Sequence, residues 1–160
     1  MSEIIYKPIG IIRTPFRDRE GMPIQAAAAG GVKGTIELDP EMVPGLRDLA
    51  GFSHIMLLYH FHLSRGYSLE VVPFMDTGLR GVFATRAPKR PNPIGVSVVR
   101  LAAVRGNILD IEDVDIIDGT PLLDIKPYVP GIDDRECVRT GWLEGREELM
   151  RARKSDDRFG

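Results

Sequence analysis

A proline-rich segment, residues 80–97, contains the side chains best suited to bind a charged small molecule. Arg86, Arg90 and Asn92 lie in or beside a stretch with three prolines within six positions. Proline fixes its own φ angle, removes an amide donor and restricts the preceding residue, so this stretch predicts a rigid extended path and excludes a helix. Donor side chains on a rigid path lose little entropy on binding, which favours a site for an anionic or small-molecule ligand.

A second segment, residues 118–128, combines acidic, basic and phenolic side chains with further prolines. Asp118 begins an Asp-Gly-Thr-Pro sequence, which forms a good turn by composition alone and needs no ligand for that role. Lys126 and Tyr128 lie where prolines at 127 and 130 restrict the backbone, so they could line a binding site. A rigid loop without a ligand would have the same sequence, and both interpretations stand.

Together the two segments resemble the signature stretches of the TsaA-like proteins, the TrmO-type transferases. Members of that family use S-adenosylmethionine (SAM) to methylate a modified adenosine beside the tRNA anticodon. The matching stretches are residues 84–86, 90–95, 118–121 and 124–128, with further matches at 8–10, 14–16, 51–54 and 59–62. The resemblance spans most of residues 8–134 and is far more specific than an isolated glycine motif. It implies a compact β-barrel, a SAM cofactor, a tRNA partner and a homodimer.

The resemblance also implies which residues hold the cofactor. Carried over position by position, the cofactor contacts fall on Gln25, Ala26, Ala27, Ala28, His62, Leu63, Arg86, Val96, Glu112, Asp113, Val114 and Asp115. This sequence has alanine at 26 and 27, where many relatives carry proline or glycine, so contacts there are expected from the backbone. The residues expected at the acceptor are Arg90, Asn92, Lys126 and Tyr128.

Arg86 and the histidines each admit a second interpretation. Arg86 could pair with Asp118 or Asp124 and hold two loops together, although an arginine on a proline-rich loop suits a carboxylate or phosphate ligand. His60 and His62 alternate along a predicted strand, so they would share a face and could form a metal pair. No third ligand lies at a recognisable spacing, so no metal is expected, and His62 is better explained by a cofactor hydrogen bond or by burial.

The acidic pair Asp113 and Asp115 and the single cysteine can also be explained without a ligand. Asp113 and Asp115 alternate and would share a face, where they could bind a diol or simply lie in solvent. The lone cysteine, Cys137, excludes an internal disulfide and a multi-cysteine zinc site, and a small, wholly or partly buried side chain explains it best.

Methyl transfer from a sulfonium is an in-line displacement, so alignment of donor and acceptor can supply much of the rate. The acceptor implied by the resemblance is N6 of threonylcarbamoyladenosine, a poor nucleophile while it is protonated. A base or strong acceptor should therefore help, and the candidates are Asp118, Asp124 and Tyr128. The carboxylate of the acceptor could meet Arg90 or Lys126 by charge complementarity.

Composition places the chain among ordinary globular proteins. It has 160 residues, a net charge of −2, and 43% hydrophobic and 28% charged residues. One domain over residues 1–160 is expected, with a core at about 5–142 and a helical tail at 143–160. No apolar run approaches the roughly 20 residues that cross a bilayer, and the amino terminus lacks a signal pattern, so a cytoplasmic protein without a membrane partner is expected. Binding of tRNA would need a local basic cluster.

Many short apolar runs separated by glycine and proline turns predict a mainly β fold: a compact β-barrel with short peripheral helices and a C-terminal helical tail. The predicted strands are residues 6–12, 32–38, 55–63, 69–74, 81–85, 95–104, 108–116 and 122–125. A short helix should begin at Asp39 as N-cap. No strand is followed by a Gly-x-Gly-x-x-Gly sequence, so a Rossmann-type site is not expected.

Two other functions are compatible with these patterns. A barrel could bind SAM or another nucleoside as a sensor without catalysing a reaction. It could also be a SAM-dependent methyltransferase that acts on a small molecule instead of tRNA. Binding of SAM and modification of tRNA, measured separately, distinguish all three functions.

Overall fold

The computed structural model describes residues 1–18, 29–74, 76–146 and 148. Its strands are β1 (Gly10–Arg13), β2 (Lys33–Leu38), β3 (His54–His60), β4 (Glu70–Val71), β5 (Arg80–Gly81), β6 (Ile94–Arg105), β7 (Ile108–Glu112) and β8 (Thr120–Pro127). Six of them close an antiparallel barrel in the order β1-β2-β7-β6-β3-β8, while β4 and β5 form a separate small sheet. Closure pairs both edges of the main sheet, which a single open sheet could not do.

The described helices are all short and lie outside the barrel strands. They are the 3-10 helices Pro40–Leu46, Leu49–Gly51, Val82–Ala84 and Gly141–Leu143, and the α-helix α1 (Pro130–Asp133). The predicted mainly β barrel with short peripheral helices is therefore confirmed. Most of the predicted helical tail, 143–160, lies outside the described residues.

The interior of the barrel follows from the period of two in the strand sequences. In β3, the buried residues Ile55, Leu57 and Tyr59 alternate with half-buried ones, as expected for a strand with one face toward a core. The same alternation continues in β6, its neighbour in the sheet. The core cluster consists of Ile12, Ile36, Leu38, Ile55, Leu57, Tyr59, Val99, Leu101, Leu109, Ile111, Val114, Ile116 and Leu122.

The strands predicted over residues 95–104 and 108–116 pair as a hairpin, but the second strand is shorter than predicted. β6 and β7 are joined by a two-residue turn in which Gly106 has φ 63°, a conformation that favours glycine. The strand predicted to reach residue 116 ends at Glu112, because Asp113 adopts a left-handed φ of 61°. The Asp113 carboxylate accepts a hydrogen bond from the Gly31 amide at 2.6 Å, an interaction that stabilises this conformation.

Three other local predictions need correction. The segment predicted as a strand over 81–85 leaves β5 after Gly81 and turns into a 3-10 helix, where the Thr85 hydroxyl donates to the Val82 carbonyl at 2.8 Å. Asp39 precedes a 3-10 helix but makes no side-chain capping bond. β3 ends at His60, so His60 and His62 do not occupy one regular strand as the alternation had predicted.

Candidate functional site

A chain of hydrogen-bonded polar groups lies inside one end of the barrel. The Tyr59 hydroxyl is 2.9 Å from Ser97 Oγ, and Ser97 Oγ donates to Asp115 Oδ1 at 2.6 Å. Ser97 has a single hydroxyl proton, so Tyr59 is the donor in its bond to Ser97. The result is a directed chain from phenol to hydroxyl to carboxylate, which connects β3, β6 and the loop after β7.

Two members of this polar chain, Tyr59 and Ser97, are buried, and Asp115 is half-buried. Tyr59 is 6% exposed and Ser97 is 4% exposed. Burial raises the pKa of Tyr59 far above its ordinary value, and the negative charge of Asp115 adds to the increase. The Ser97 bond and the positive charge of Arg86 lower the same pKa by smaller amounts. Tyr59 is therefore a protonated donor at neutral pH and unsuited to act as a base.

Gly95 provides the space that Tyr59 occupies. It lies directly opposite Tyr59 in the β3–β6 pairing. A Cβ atom at Gly95 would be 2.3 Å from Tyr59 Cε2 and 2.8 Å from Phe61 Cζ, both far inside van der Waals contact. The two aromatic rings pack edge to face with their centroids 5.5 Å apart. A side chain at residue 95 would therefore displace the ring that begins the polar chain.

A second polar pair lies at the same end of the barrel, where β3 ends and β8 begins. His62 Nδ1 is 3.3 Å from Thr120 Oγ1, and Thr120 Oγ1 donates to the Ile117 carbonyl at 2.7 Å. Because the only proton of the Thr120 hydroxyl is used in that bond, His62 is assigned the tautomer with its proton on Nδ1. Thr120 is 3% exposed, so this bond fixes the imidazole from inside the barrel.

The loop that carries Arg86 is held by hydrogen bonds from two side chains, one within the loop and one outside it. Arg90 Nη1 donates to the carbonyls of Thr85 and Ala87 at 3.0 and 3.1 Å, one on each side of Arg86. Ser64 Oγ donates to the Pro88 carbonyl at 3.1 Å and connects this loop to the chain after β3. Residues 85–93 contain no helix, as the prolines predicted. Arg90 therefore contributes to the geometry of the Arg86 loop.

The acidic stretch after β7 divides among three environments. Asp115 belongs to the buried polar chain, whereas the Asp113 carboxylate binds the Gly31 amide. Val114 is fully buried in the core. The Glu112 carboxylate forms an ion pair with Arg100 at 2.5 Å. Of the acidic cofactor residues predicted there, Asp115 is the one placed with Tyr59 and Ser97.

Two of the predicted apolar cofactor residues, Leu63 and Val96, lie on the surface, unlike the buried Val114. Leu63 is 43% exposed and Val96 is 38% exposed. Val96 precedes Ser97 in β6, and because successive residues of a strand point to opposite faces, it faces away from the buried polar chain. The remaining predicted cofactor residues, Gln25, Ala26, Ala27 and Ala28, lie outside the described residues.

The predicted acceptor and base residues along β8 are not clustered with the buried polar chain. Asp124 and Lys126 form an ion pair at 2.9 Å, opposite Leu58 and Met56 on the outer face of the barrel. A rise of about 3.3 Å per residue separates Lys126 from Thr120 by roughly 20 Å along the strand. The pair raises the pKa of Lys126.

The remaining candidates, Tyr128, Asp118 and Asn92, occupy different places in the fold. The Tyr128 hydroxyl donates to Asp134 at 2.5 Å, a bond that raises its pKa and makes its phenolate less accessible as a base. Asp118 precedes Thr120 at the end of the barrel that holds the polar chain, and its Oδ1 accepts from the Thr14 amide at 3.1 Å. Asn92 is exposed, and its carbonyl accepts from the amide two residues later.

Within the part of the chain that the structure describes, no three His, Cys, Asp or Glu side chains are grouped so that they could hold a metal ion. The same part of the chain has no helix that is long and apolar enough to span a bilayer. Cys137, for which burial was expected, is exposed on the segment after α1. The polar groups at the barrel end are therefore the best-supported site.

Sequence reasoning omitted Tyr59, Ser97 and Thr120 from the site. Their hydroxyls lie in or beside the signature stretches, at 59–62, after 90–95 and at 118–121. The signal that could have identified them is their position: a polar residue where the alternation places an inward-facing one. Thr120 and Ser97 are among the three buried polar residues in the described chain.

Comparison with known proteins assigns the family. Residues 11–134 match the model of the tRNA-methyltransferase O N-terminal domain. A probable SAM-binding protein of Pyrococcus abyssi is 57% identical over 98% of this chain and 85% of its own length. The tRNA (adenine(37)-N6)-methyltransferase of Escherichia coli is 36% identical over 81% of this chain and 60% of its own length.

Solved structures give the same assignment. The crystal structure of TrmO from Pseudomonas aeruginosa matches 88% of this chain with a TM-score of 0.75 and 42% identity. The match covers 62% of the Pseudomonas chain, so this chain spans about three-fifths of that protein, as it does of the E. coli relative. With its barrel and its signature stretches in place, the chain belongs to the tRNA-methyltransferase O family through its N-terminal domain.

Proposed function

We propose that this chain is a SAM-dependent methyltransferase that methylates N6 of threonylcarbamoyladenosine beside the tRNA anticodon. The family assignment supports this proposal, as does the similarity to the E. coli tRNA (adenine(37)-N6)-methyltransferase. The observation that carries it is the hydrogen-bonded chain from the buried Tyr59 through Ser97 to Asp115, at an end of the barrel formed by the signature stretches. The positive charge of Arg86 also acts on the pKa of Tyr59.

The side chains at this end fit SAM by their chemistry. Arg86 would bind its carboxylate, because a guanidinium donates two parallel hydrogen bonds to such a group. Asp115 would accept from its ammonium or ribose hydroxyls, with the carboxylate held in place by Ser97 and Tyr59. His62, fixed by Thr120, would bind at the edge of the same site. When bound, SAM supplies a methyl group on a cationic sulfur.

Removal of the N6 proton of the acceptor is assigned first to Asp118. It is the base candidate at the same end of the barrel as Thr120, whereas Asp124 lies on the outer face of the barrel. Tyr128 is less suitable because its pKa is raised by Asp134. Arg90 remains the proposed partner of the acceptor carboxylate, whereas Lys126 belongs to the same outer-face ion pair as Asp124 and is the less suitable partner.

The protein is proposed to act in the cytoplasm as a homodimer, and the outer face of β3 and β6 supports the dimer. Ile94 and Val96 are 41% and 38% exposed on β6, next to the half-buried Leu58 and Met56 on β3. A contiguous apolar sheet face of this kind is a typical protein interface. Val96→Asp should shift the mass measured by light scattering to that of a monomer, while the same change at exposed Val138 should not. A wild-type monomer would contradict the dimer.

Calorimetry with SAM followed by mass spectrometry of incubated tRNA tests the proposed activity. Arg86→Ala should weaken SAM binding about 10- to 100-fold, because a hydrogen bond to a charged group contributes about 1.5–3 kcal/mol. Arg47→Ala, at an exposed residue outside the barrel strands, is the matched control. Absence of SAM binding by the wild type would refute the proposal. Binding without tRNA methylation would support a sensor or a methyltransferase of small molecules.

A further inference from the structure

Four residues outside the six barrel strands form a cluster that we name the Trp142 clasp. Its members are Asp76, Arg80, Trp142 and Arg146. The Arg80 and Arg146 guanidinium carbons lie 5.6 and 6.0 Å from the centroid of the Trp142 ring. Both arginines also bind Asp76 Oδ2, at 2.5 and 3.3 Å. The indole is thus held by two cations that share one carboxylate, in an arrangement that favours cation–π attraction.

Asp76 is the electrostatic centre of the clasp. Its side chain is 10% exposed, and it accepts from both Nε and Nη2 of Arg80. The Arg80 bonds hold the pKa of Asp76 far below its usual range, with a smaller contribution from the backbone amide of Thr77. Asp76 is therefore charged at neutral pH, and it fixes both arginines around the indole.

The clasp is bonded to the loop that carries Arg86. Trp142 Nε1 donates to the Ala84 carbonyl at 2.8 Å, across 58 residues of sequence. Ala84 ends the 3-10 helix that leads into Arg86, and the next carbonyl, that of Thr85, accepts from Arg90. Consecutive carbonyls before Arg86 are thus fixed by two different side chains. Trp142 lies beyond residues 11–134, so the matched domain does not include this contact.

We propose that Trp142 is a positioning residue for Arg86, and this inference rests on the proposed SAM site. The indole N–H sets the path of the loop at Ala84, and the loop in turn directs the Arg86 guanidinium toward the Asp115 end of the barrel. A chain that ends before Trp142 would keep the barrel but hold the Arg86 loop less tightly. The ligand is the same SAM cofactor as in the proposed function. The Trp142 clasp affects how tightly Arg86 binds the carboxylate of that cofactor.

A double-mutant cycle on SAM affinity tests this inference. Trp142→Phe keeps an aromatic ring between the arginines and removes the N–H donor to Ala84. Calorimetry should show SAM binding weakened about 2- to 10-fold, the range for one neutral hydrogen bond. In an Arg86→Ala background, the same change should have little further effect, because the clasp then has no guanidinium to position. Val138→Ala, at an exposed residue of the same segment, is the control.

The outcomes separate the two proposals. If the wild type binds SAM but Trp142→Phe weakens binding equally with and without Arg86, Trp142 acts elsewhere and the inference is wrong. Unchanged affinity in Trp142→Phe overturns it as well. If the wild type does not bind SAM, the proposed function fails together with the inference. If Trp142→Phe proves too unstable to measure, Arg146→Gln removes one of the two cations that hold the indole. It should weaken SAM binding by a smaller factor, again only when Arg86 is present, and an unchanged affinity overturns the inference.

Discussion

Replacement of Gly95 by alanine should destabilise the barrel through a single steric contact. The new Cβ would lie 2.3 and 2.6 Å from two ring atoms of Tyr59 and 2.8 Å from Phe61. The Tyr59 ring cannot simply move toward solvent, because it is 6% exposed and its hydroxyl is bonded to Ser97 at 2.9 Å. Relief of the clash therefore requires displacement of the core or loss of that hydrogen bond.

The expected decrease in the free energy of unfolding is the sum of these two contributions. Overpacking a core typically costs about 1–3 kcal/mol, and loss of the Tyr59–Ser97 bond adds about 0.5–1.5 kcal/mol. Gly95→Ala should thus lower the free energy of unfolding by about 1.5–4.5 kcal/mol, measured by urea titration. For a domain of this size, that corresponds to a decrease of roughly 5–15 °C in the melting temperature. Affinity for SAM should also fall, since Asp115 would lose its fixed partners.

Two comparisons make the test specific. Gly131→Ala, in α1, introduces the same methyl group with no heavy atom within 4 Å and should change stability by less than about 0.5 kcal/mol. In a Tyr59→Leu background, the ring atoms nearest the new Cβ are absent, so Gly95→Ala should cost less. A wild-type unfolding curve for Gly95→Ala, or a cost unaffected by Tyr59→Leu, would refute the steric explanation.

Three further outcomes follow from the buried polar chain and the Arg86 loop. Because burial raises the pKa of Tyr59, the folded chain keeps a proton that the unfolded chain loses near pH 10; stability should therefore fall as the pH rises above about 10. Tyr59→Phe should flatten that decline in alkaline urea titrations, and Tyr6→Phe, at an exposed residue, should not. Ser97→Ala leaves Asp115 without its hydroxyl donor, so the free energy of unfolding should drop by about 1–3 kcal/mol; an unchanged value would contradict the bond. Arg90→Ala should slow single-turnover methylation of modified tRNA, and an unchanged rate would show that the Arg86 loop does not need its two bonds.

Several features of the fold could be predicted because their causes are local. The period of two in β3 and β6 predicts strands with one inward face, and the prolines at 88, 91 and 93 exclude a helix wherever the segment lies. Gly106 and Asn107 predict a tight turn between the two strands of the hairpin. The signature stretches indicated the family from residue types alone.

The composition of the site depends on contacts between distant parts of the chain. Ser97 meets Tyr59 because β6 pairs with β3, which is distant in sequence, and it meets Asp115 because Asp113 turns the chain out of β7. No local pattern distinguishes Asp115 from Asp113, although one faces the interior and the other binds Gly31.

Trp142 is the clearest example of a contact that the local sequence does not predict. In the sequence it is an isolated aromatic residue before a charged tail, while in the fold it donates to a carbonyl 58 residues away. The physical reason is that alternation and turn preferences act over a few residues and define the strands. Which side chains meet at the end of the barrel depends on strand order and register, which are selected by burial of the whole core at once.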